Sequence, residues 1–254
     1  MAVVAGGTVA AAATLAGGMI LIQAAIGTVN DIVDAPLDAG RKLGKPIPAG
    51  IVDLRAARAI AILAAVGGLA ASSAARLETL PVAVAILAVG LLYDLRLRGT
   101  VLSWLPFAAG IPLLPVYAWA GATGTVPQYF AVLLPAAFLA GAALAIANAL
   151  ADVERDAAAG ATSVAVRLGS RRAWAAHTVL HAAVVVIAFL SFAATGGPPL
   201  AAAGIAGAAT VVAGGAALGR SRRADRRERA WELEAVGVAA LASAWLGGIA
   251  GAVR

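Results

Sequence analysis

Long apolar stretches separated by short charged ones dominate the pattern of this chain. Runs without a charged residue cover 1–30, 59–75, 79–93, 99–151, 173–219 and 235–253. A helix needs about 20 mostly apolar residues to cross a bilayer, so two of these runs are long enough for two helices each. Turn-rich sequence divides them at residues 121–127 and 195–199. The pattern predicts eight transmembrane helices, and the short third one must extend toward Leu97.

Composition supports a membrane protein over a soluble one. Of 254 residues, 62% are hydrophobic and only 13% are charged, with a mean hydropathy of +0.92. A soluble domain carries about twice that charged share, and one core of this size could not bury so much apolar surface. We therefore expect an all-α, polytopic transmembrane helix bundle that forms a single domain over residues 1–254. Cysteine is absent, which leaves carboxylates and histidines as the metal ligands.

The basic residues predict how the bundle is oriented. Alternate loops hold 17 of the 19 lysines and arginines, and only Arg76 and Arg254 fall on the other side. Basic loops mark the cytoplasmic side of a membrane protein, so the net charge of +6 reflects membrane topology rather than nucleic-acid binding. We expect a multi-pass protein of the cell membrane with the lipid bilayer as its surroundings.

A first group of oxygen-bearing side chains ends the first apolar run. It comprises Asn30, Asp34 and Asp38, with Asp31 beside them. Residues spaced by four share one helical face, so these side chains would form a stripe of ligands. Pro36 interrupts the stripe, and we expect the helix to end near Asp34 because proline disfavours a continuing helix. Asp38 would then approach from a loop or a new turn.

A second group with the same spacing ends the fifth predicted helix. It comprises Asn148, Asp152 and Asp156, each 118 residues after its counterpart in the first group. Ionisable residues near a membrane are costly and are usually functional or paired. Two matched sets predict a duplicated architecture in which two helix ends face each other across a cavity. All-oxygen ligands suit Mg²⁺, which commonly bridges to phosphate, so we interpret the pair as a Mg²⁺-diphosphate site facing the cytoplasm.

Basic residues follow both the first group and the third helix. Arg41, Lys42 and Lys45 come after the first group, and Arg96 and Arg98 come after the third helix. A diphosphate needs cations besides its metal ions, and arginine can grip it with two hydrogen bonds. The alternative is that these residues only anchor cytoplasmic loops.

Taken together, these motifs resemble those of the UbiA-type membrane prenyltransferase superfamily. The first group resembles the family's first aspartate-rich motif, and Asp152-x-x-x-Asp156-x-x-x-Gly160 resembles its second. Between them, Lys45-Pro-Ile-Pro-Ala-Gly50 resembles the family's Arg-Pro-Leu-Pro-Ser-Gly segment, and Tyr93-Asp94-Leu-Arg96-Leu-Arg98 resembles its Tyr-Ser-x-x-x-Lys segment. The matches cover nearly the whole chain in the family's order.

The resemblance implies transfer of a prenyl group from a prenyl diphosphate to a small acceptor, here expected to be aromatic and similar to 4-hydroxybenzoate. It implies Mg²⁺ as the cofactor, held by Asn30, Asp34, Asp38, Asp152 and Asp156. It implies a catalytic role for the four aspartates of that set and for Tyr93, whose ring could stabilise an allylic cation. It implies substrate binding by Asn30, Asp31, Arg41, Lys45, Arg98 and Asn148. The oligomeric state is left open.

Some features depart from the family or admit another interpretation. The family usually has nine helices, so its first helix is expected to be missing here, which could impair activity. An inactive homologue therefore stays open, as does a transporter that uses its acidic residues as an ion path. His177 and His181 lie four residues apart on the sixth predicted helix, but no nearby carboxylate is expected to complete a metal site. We expect them to serve packing, and we expect Glu234 to be a solvated charge.

Overall fold

The computed structural model of the protein describes residues 1–38 and 44–252. Over those residues every regular element is helical. Its ten α-helices are α1 Val9–Asp38, α2 Leu54–Ala75, α3 Leu80–Leu92, α4 Leu105–Thr123, α5 Phe130–Ala151, α6 Val153–Ala158, α7 Val164–Leu168, α8 Ser170–Ala193, α9 Pro199–Leu218 and α10 Ala224–Ala252. Eight helices in this part of the chain are long and apolar enough to cross a membrane, which confirms the predicted fold class and number of spans.

The short third span and the two divided runs follow the sequence expectation. A 3₁₀ turn, Leu77–Thr79, precedes α3, and a π-helical segment, Tyr93–Leu97, continues it. Together they form a span of 21 residues, Leu77–Leu97. The two long runs break between α4 and α5 and between α8 and α9, where glycine and proline favour turns.

The first helix does not end before Pro36, so that expectation was wrong. The helix α1 contains Pro36 and continues to Asp38. A proline removes one hydrogen-bond donor and crowds the carbonyl four residues earlier, and this disturbance falls in the last turn of a 30-residue helix. Asn30, Asp34 and Asp38 therefore do share one continuous helix.

The second motif does not lie on one continuous helix, so that expectation was also wrong. The helix α5 ends at Ala151, and Asp152 has φ −100° and ψ 4°, outside helical geometry. Its carbonyl then accepts the hydrogen bond of Asp156 N, 2.9 Å away, which begins α6. The short helix α6 thus begins directly after Asp152 instead of extending α5, although the Asp152 side chain makes no cap hydrogen bond to it.

The described residues divide into two compact units. The first unit comprises Ala2–Arg96 and Leu113–Val126. Its helices α1 and α2 pack closely, because a Cβ on Gly68 would lie 2.8 Å from Ile22 Cγ1 and 3.0 Å from the Gly18 carbonyl oxygen. Small residues permit such close packing between membrane helices.

The second unit comprises Met1, Leu97–Pro112 and Pro127–Arg254. The helix α5 contributes many of its buried residues, and α8 and α10 pack against α5. The helices α9 and α10 approach closely, since a Cβ on Gly237 would lie 3.0 Å from the backbone nitrogen of Val212. That the whole chain acts as a single domain stays a prediction.

Candidate functional site

The first motif forms a buried stripe of oxygen atoms at the end of α1. Asp34 and Asp38 are 6% and 7% exposed, while Asn30 is half-buried. Their spacing of four residues on a continuous helix places the three side chains along one face. Two carboxylates on one face create a strongly negative position that attracts a cation.

Asp94 belongs to the surroundings of the first motif, although its role was not predicted. It is buried on the π-helical segment after α3 and accepts a hydrogen bond of 2.9 Å from Asn30 Nδ2. Asn30, predicted as a metal ligand, thus uses its amide nitrogen to hold a third acidic side chain. The sequence showed only an aspartate where the family commonly has serine, and the π-helical turn that presents it has no sequence signal we could identify.

Lys45 is held beside the first motif by a compact turn. Ala49 N donates to the Lys45 carbonyl oxygen at 3.1 Å, and Gly50, with φ +71°, closes the turn. The Lys45 ammonium forms an ion pair with Asp31. The hydrogen bond to Asp31 raises the pKa of Lys45, and the charges of Asp38 and Asp34 raise it further. Lys45 is therefore positively charged at neutral pH and lies in the electric field of the motif.

The other residues predicted to act with the first motif do not all lie in the same unit. Tyr93 is half-buried in the first unit, next to Asp94. Arg98 is exposed and belongs to the second unit. Arg41 and Lys42 lie outside the described residues, so their predicted roles are not tested.

The second motif has a more open geometry. Asp152 forms an ion pair with Arg155 one turn later, and their side chains are 40% and 69% exposed. The hydrogen bond to Asp152 raises the pKa of Arg155. Asp156 is half-buried on α6, and Asn148 is half-buried near the end of α5. The break at Asp152 means that these three side chains do not follow one helical face.

Arg227 anchors the second motif and was not singled out from the sequence. It lies on α10, is buried, and donates Nε–H to the Leu150 carbonyl oxygen at 2.9 Å. Its Nη1 donates to the carbonyl oxygens of Ser221 and Arg222, at 3.2 and 2.9 Å. Its Nη2 forms an ion pair with Glu154, directly within the motif. The sequence presented it as one of six arginines in a basic loop, which concealed its role.

A third group of titratable residues lies inside the membrane-spanning part of the second unit. His177 and His181 on α8 meet Glu234 on α10, with Glu234 Oε2 3.5 Å from His177 Nδ1 and 3.6 Å from His181 Nδ1. Two expectations were therefore wrong: a carboxylate does complete this group, and Glu234 is buried rather than solvated. The folding of α10 against α8 brings together residues that are distant in sequence.

The donor sets of the two motifs suit Mg²⁺. Each consists of carboxylate and amide oxygens, and the chain contains no cysteine. Mg²⁺ is bound through one or two carboxylates plus substrate phosphates. In the first motif Asp34 and Asp38 would supply those carboxylates, and the buried position limits competition from water.

A comparison with protein families extends over almost the whole chain. Residues 1–249 match the model of the UbiA prenyltransferase family. Among curated relatives, a digeranylgeranylglyceryl phosphate synthase of Methanoculleus marisnigri is 32% identical over 155 residues, which is 60% of this chain and 55% of that protein. One of Methanopyrus kandleri is 29% identical over 168 residues, 65% of this chain and 60% of that protein. The matches thus span less than two thirds of these relatives' length.

Solved structures share the fold. A UbiA homologue from Aeropyrum pernix K1 aligns with a TM-score of 0.75 and 21% identity, covering 96% of this chain and 92% of that one. A UbiA homologue from Archaeoglobus fulgidus, bound to DMAPP and Mg²⁺, aligns with a TM-score of 0.72 and 18% identity, covering 95% and 93%. The family match over residues 1–249, together with the eight candidate spans, identifies the protein as an integral multi-pass membrane protein. The chain belongs to the UbiA prenyltransferase family.

Proposed function

We propose that the protein is a Mg²⁺-dependent prenyltransferase that transfers a prenyl group from a prenyl diphosphate to a hydroxyl oxygen of a glyceryl phosphate. The observation that carries the proposal is the pair of buried carboxylates, Asp34 and Asp38, on one face of α1, with the charged Lys45 beside them. Such a set offers carboxylates for a metal ion and a cation for a phosphate oxygen within one short segment.

The proposed acceptor differs from the aromatic one expected from the sequence. Curated relatives that the chain matches are named digeranylgeranylglyceryl phosphate synthases, and that name implies an acceptor with a glyceryl phosphate rather than a 4-hydroxybenzoate-like ring. An acceptor that already carries one prenyl chain would partition into the bilayer and reach the site from the membrane. We therefore propose a prenylated glyceryl phosphate in place of the aromatic acceptor.

The proposed reaction requires the chain to hold a diphosphate while its bond to the prenyl group breaks. The C–O bond of the prenyl diphosphate breaks, and the diphosphate leaves with the electron pair. The acceptor oxygen then forms the new C–O bond and releases its proton to the departing diphosphate or to water. Bound Mg²⁺ would neutralise charge on the diphosphate oxygens. We propose that Asp34 and Asp38 in the first motif, and Asp152 and Asp156 in the second, each provide ligands for Mg²⁺, and that Asn30 and Asn148 support their motifs.

Three further residues have proposed roles in orienting the substrate. Lys45, fixed by Asp31, would direct its ammonium to a phosphate oxygen, which is a charge-assisted contact. Tyr93 would present its ring to the developing allylic cation, where the negative face of an aromatic ring is favourable. The exposed Arg98 would contact the substrate's phosphate groups.

The direct test of the proposal is product formation by the purified full chain in detergent or nanodiscs. Prenyl diphosphates of several lengths are offered with a monoprenylated glyceryl phosphate or with 4-hydroxybenzoate, and products are identified by mass spectrometry. We expect an ether product with the glyceryl phosphate that disappears with EDTA and returns with Mg²⁺. No product from any donor and acceptor would contradict the proposal, and product only with 4-hydroxybenzoate would refute the acceptor.

We further propose that both aspartate motifs lie at the cytoplasmic face, as the distribution of lysine and arginine predicts. The absence of cysteine permits a clean topology test by single substitutions. Ser221→Cys lies between α9 and α10 on the arginine-rich side, and the exposed Thr195→Cys lies between α8 and α9. A membrane-impermeant maleimide should label Thr195→Cys in intact cells and Ser221→Cys only after lysis. The reverse result would overturn the orientation.

A further inference from the structure

The buried group His177, His181 and Glu234 forms a compact set of potential metal ligands. One ligand atom from each residue lies within 4.8 Å of the others, and in the part of the chain that is described no other group of three or more histidines or acidic residues meets this condition. All three side chains are at most 2% exposed. The group is distinct from both aspartate motifs, since its residues belong to α8 and α10, whereas the motifs lie on α1 and on α5 and α6.

The distances within the group are longer than hydrogen bonds. Glu234 Oε2 is 3.5 Å from His177 Nδ1 and 3.6 Å from His181 Nδ1, whereas N–H···O hydrogen bonds range from about 2.7 to 3.2 Å. Ligands at about 2.0–2.1 Å from a tetrahedral metal ion are about 3.4 Å from one another. The two separations from Glu234 to the histidines are therefore closer to the edge of a metal-coordination tetrahedron than to a hydrogen bond.

The polar atoms of the group have no hydrogen-bond partner among the described residues. This holds for both ring nitrogens of His177 and His181 and for both carboxylate oxygens of Glu234. Six buried polar atoms without a protein partner are costly, because burial removes hydrogen bonds that the protein does not replace. A bound cation would satisfy at least three of them and would offset the charge of the glutamate.

The backbone fixes the positions of the three side chains before any ligand binds. His177 and His181 are one helical turn apart on α8 and thus face the same direction. Glu234 is confined by α9, because a Cβ on Gly215 would lie 2.7 Å from Glu234 Cγ. Such confinement is the preorganisation that a metal site needs. An ionisable group inside a membrane span is, moreover, usually functional.

We propose that His177, His181 and Glu234 bind a divalent transition-metal ion of the zinc type, which links α8 to α10 within the second unit. Two imidazoles and one carboxylate are a common set for Zn²⁺ and related ions, whereas Mg²⁺ prefers oxygen ligands. Three protein ligands leave a fourth position for water or a small anion. The site is independent of the proposed Mg²⁺-dependent transfer.

The test uses the composition of the chain. These are its only two histidines, and it has no cysteine, so imidazole coordination of a metal in a protein with a histidine-free tag can arise only here. The purified full chain, stripped with a chelator, is loaded with Zn²⁺ or Co²⁺ in the presence of excess Mg²⁺. We expect one ion per chain by elemental analysis, a visible Co²⁺ spectrum of four-coordinate type, and imidazole scattering in X-ray absorption.

Matched variants separate this site from other metal binding. Glu234→Gln and His181→Gln should each lower the affinity for Zn²⁺ at least tenfold, and Gly215→Ala should weaken binding by displacing Glu234. Glu232→Gln, an exposed residue on the same helix, should bind like the wild type. The double variant Asp34→Asn and Asp152→Asn should keep the Co²⁺ spectrum.

The proposal fails on either of two results. One is a wild-type protein that takes up no stoichiometric Zn²⁺ or Co²⁺, a measurement that does not depend on any variant folding. The other is metal uptake that shows no imidazole scattering in X-ray absorption and is the same in Glu234→Gln and His181→Gln as in the wild type. In either case the group is a metal-free polar cluster. Prenyl transfer is measured separately, so its absence does not affect this result.

Discussion

The two aspartate motifs share one spacing in sequence but have different local structures. In the first unit the motif lies on a continuous helix, and its aspartates are almost fully buried. In the second unit the helix breaks at Asp152, which is partly exposed and paired with Arg155. Equal spacing thus does not guarantee equal geometry, because Asp152 starts a new helix where Asp34 continues an old one.

The two motifs are also supported by different contacts. The first is held by its own helix and by nearby segments, through Asn30 to Asp94 and Asp31 to Lys45. The second depends on Arg227, which comes from α10 far along the chain. We therefore expect the first motif to be the stronger position for a cation and the second to be sensitive to changes at a distance.

The largest expected effect is the loss of a buried carboxylate in the first motif. Asp34→Asn should lower Mg²⁺-dependent prenyl transfer about 100- to 1,000-fold, the size found when one preorganised electrostatic contact to a transition state is removed. Asp152→Asn should lower it less, because that side chain is more exposed and already paired with Arg155. Initial rates at saturating donor measure both variants.

Charge-matched controls make the comparison specific. Asp53→Asn keeps a good helix cap at the start of α2, and Asp225→Asn removes an exposed charge from the second unit. Both should retain wild-type rates. Equal losses in Asp34→Asn and Asp152→Asn would contradict the proposed asymmetry between the motifs.

The next effect concerns the support of the second motif. Arg227→Gln leaves the Leu150 and Arg222 carbonyl oxygens without their donor and Glu154 without its partner. Loss of the charge-assisted bonds to the two carbonyl oxygens costs about 1.5–3 kcal/mol, whereas the exposed Glu154 adds little. We expect a lower thermal midpoint in detergent and a higher Mg²⁺ requirement for transfer. The exposed Arg223→Gln is the control, and a variant Arg227→Gln as stable as that control would refute the anchoring role.

A smaller effect is expected from the support of the first motif. Asn30→Ala removes the donor to the buried Asp94, and a lost hydrogen bond to a buried acceptor costs about 1–3 kcal/mol. Because α1 itself still holds Asp34 and Asp38, the loss should appear mainly in stability. Thermal unfolding against Asn148→Ala, the matched position of the second motif, measures the difference. A greater loss of thermal stability in Asn148→Ala than in Asn30→Ala would contradict this expectation.

The smallest effect is expected at the exposed ion pair of the second motif. Arg155→Gln breaks the contact with Asp152, and exposed pairs of this kind contribute about 0–1 kcal/mol. The thermal midpoint should therefore change little, while transfer activity is kept because Asp152 loses only a competing partner. A large loss of stability in Arg155→Gln would show that the second motif is more rigid than its exposure indicates.

Much of the fold could be predicted because membrane spans are encoded locally. Length and apolarity give the eight spans directly, and turn-rich residues give the breaks between α4 and α5 and between α8 and α9. The exact ends of helices were less predictable. Pro36 does not stop α1, because the cost of one lost backbone hydrogen bond is small against the rest of a long helix. The end of α5 at Ala151 has no comparable signal in the sequence.

The sites could be predicted only where their residues are close in sequence. The aspartate motifs are visible because their residues are close in sequence. The roles of Arg227 and Glu234 are not visible in the sequence, because each contacts residues that are distant along the chain. A run of charged residues also gives no sign that one of its members is buried. The two histidines of α8 have no third metal ligand nearby in sequence, and it is α10 that brings Glu234 to them.

The central claim is that the buried first motif holds a Mg²⁺-diphosphate, and binding tests it most directly. The measurement is equilibrium binding of a prenyl diphosphate analogue that cannot ionise, with and without Mg²⁺, to the wild type, Asp34→Asn and Asp53→Asn. We expect Mg²⁺-dependent binding to the wild type and to Asp53→Asn, and at least a tenfold weaker affinity for Asp34→Asn. Binding to Asp34→Asn as tight as to Asp53→Asn would contradict the claim.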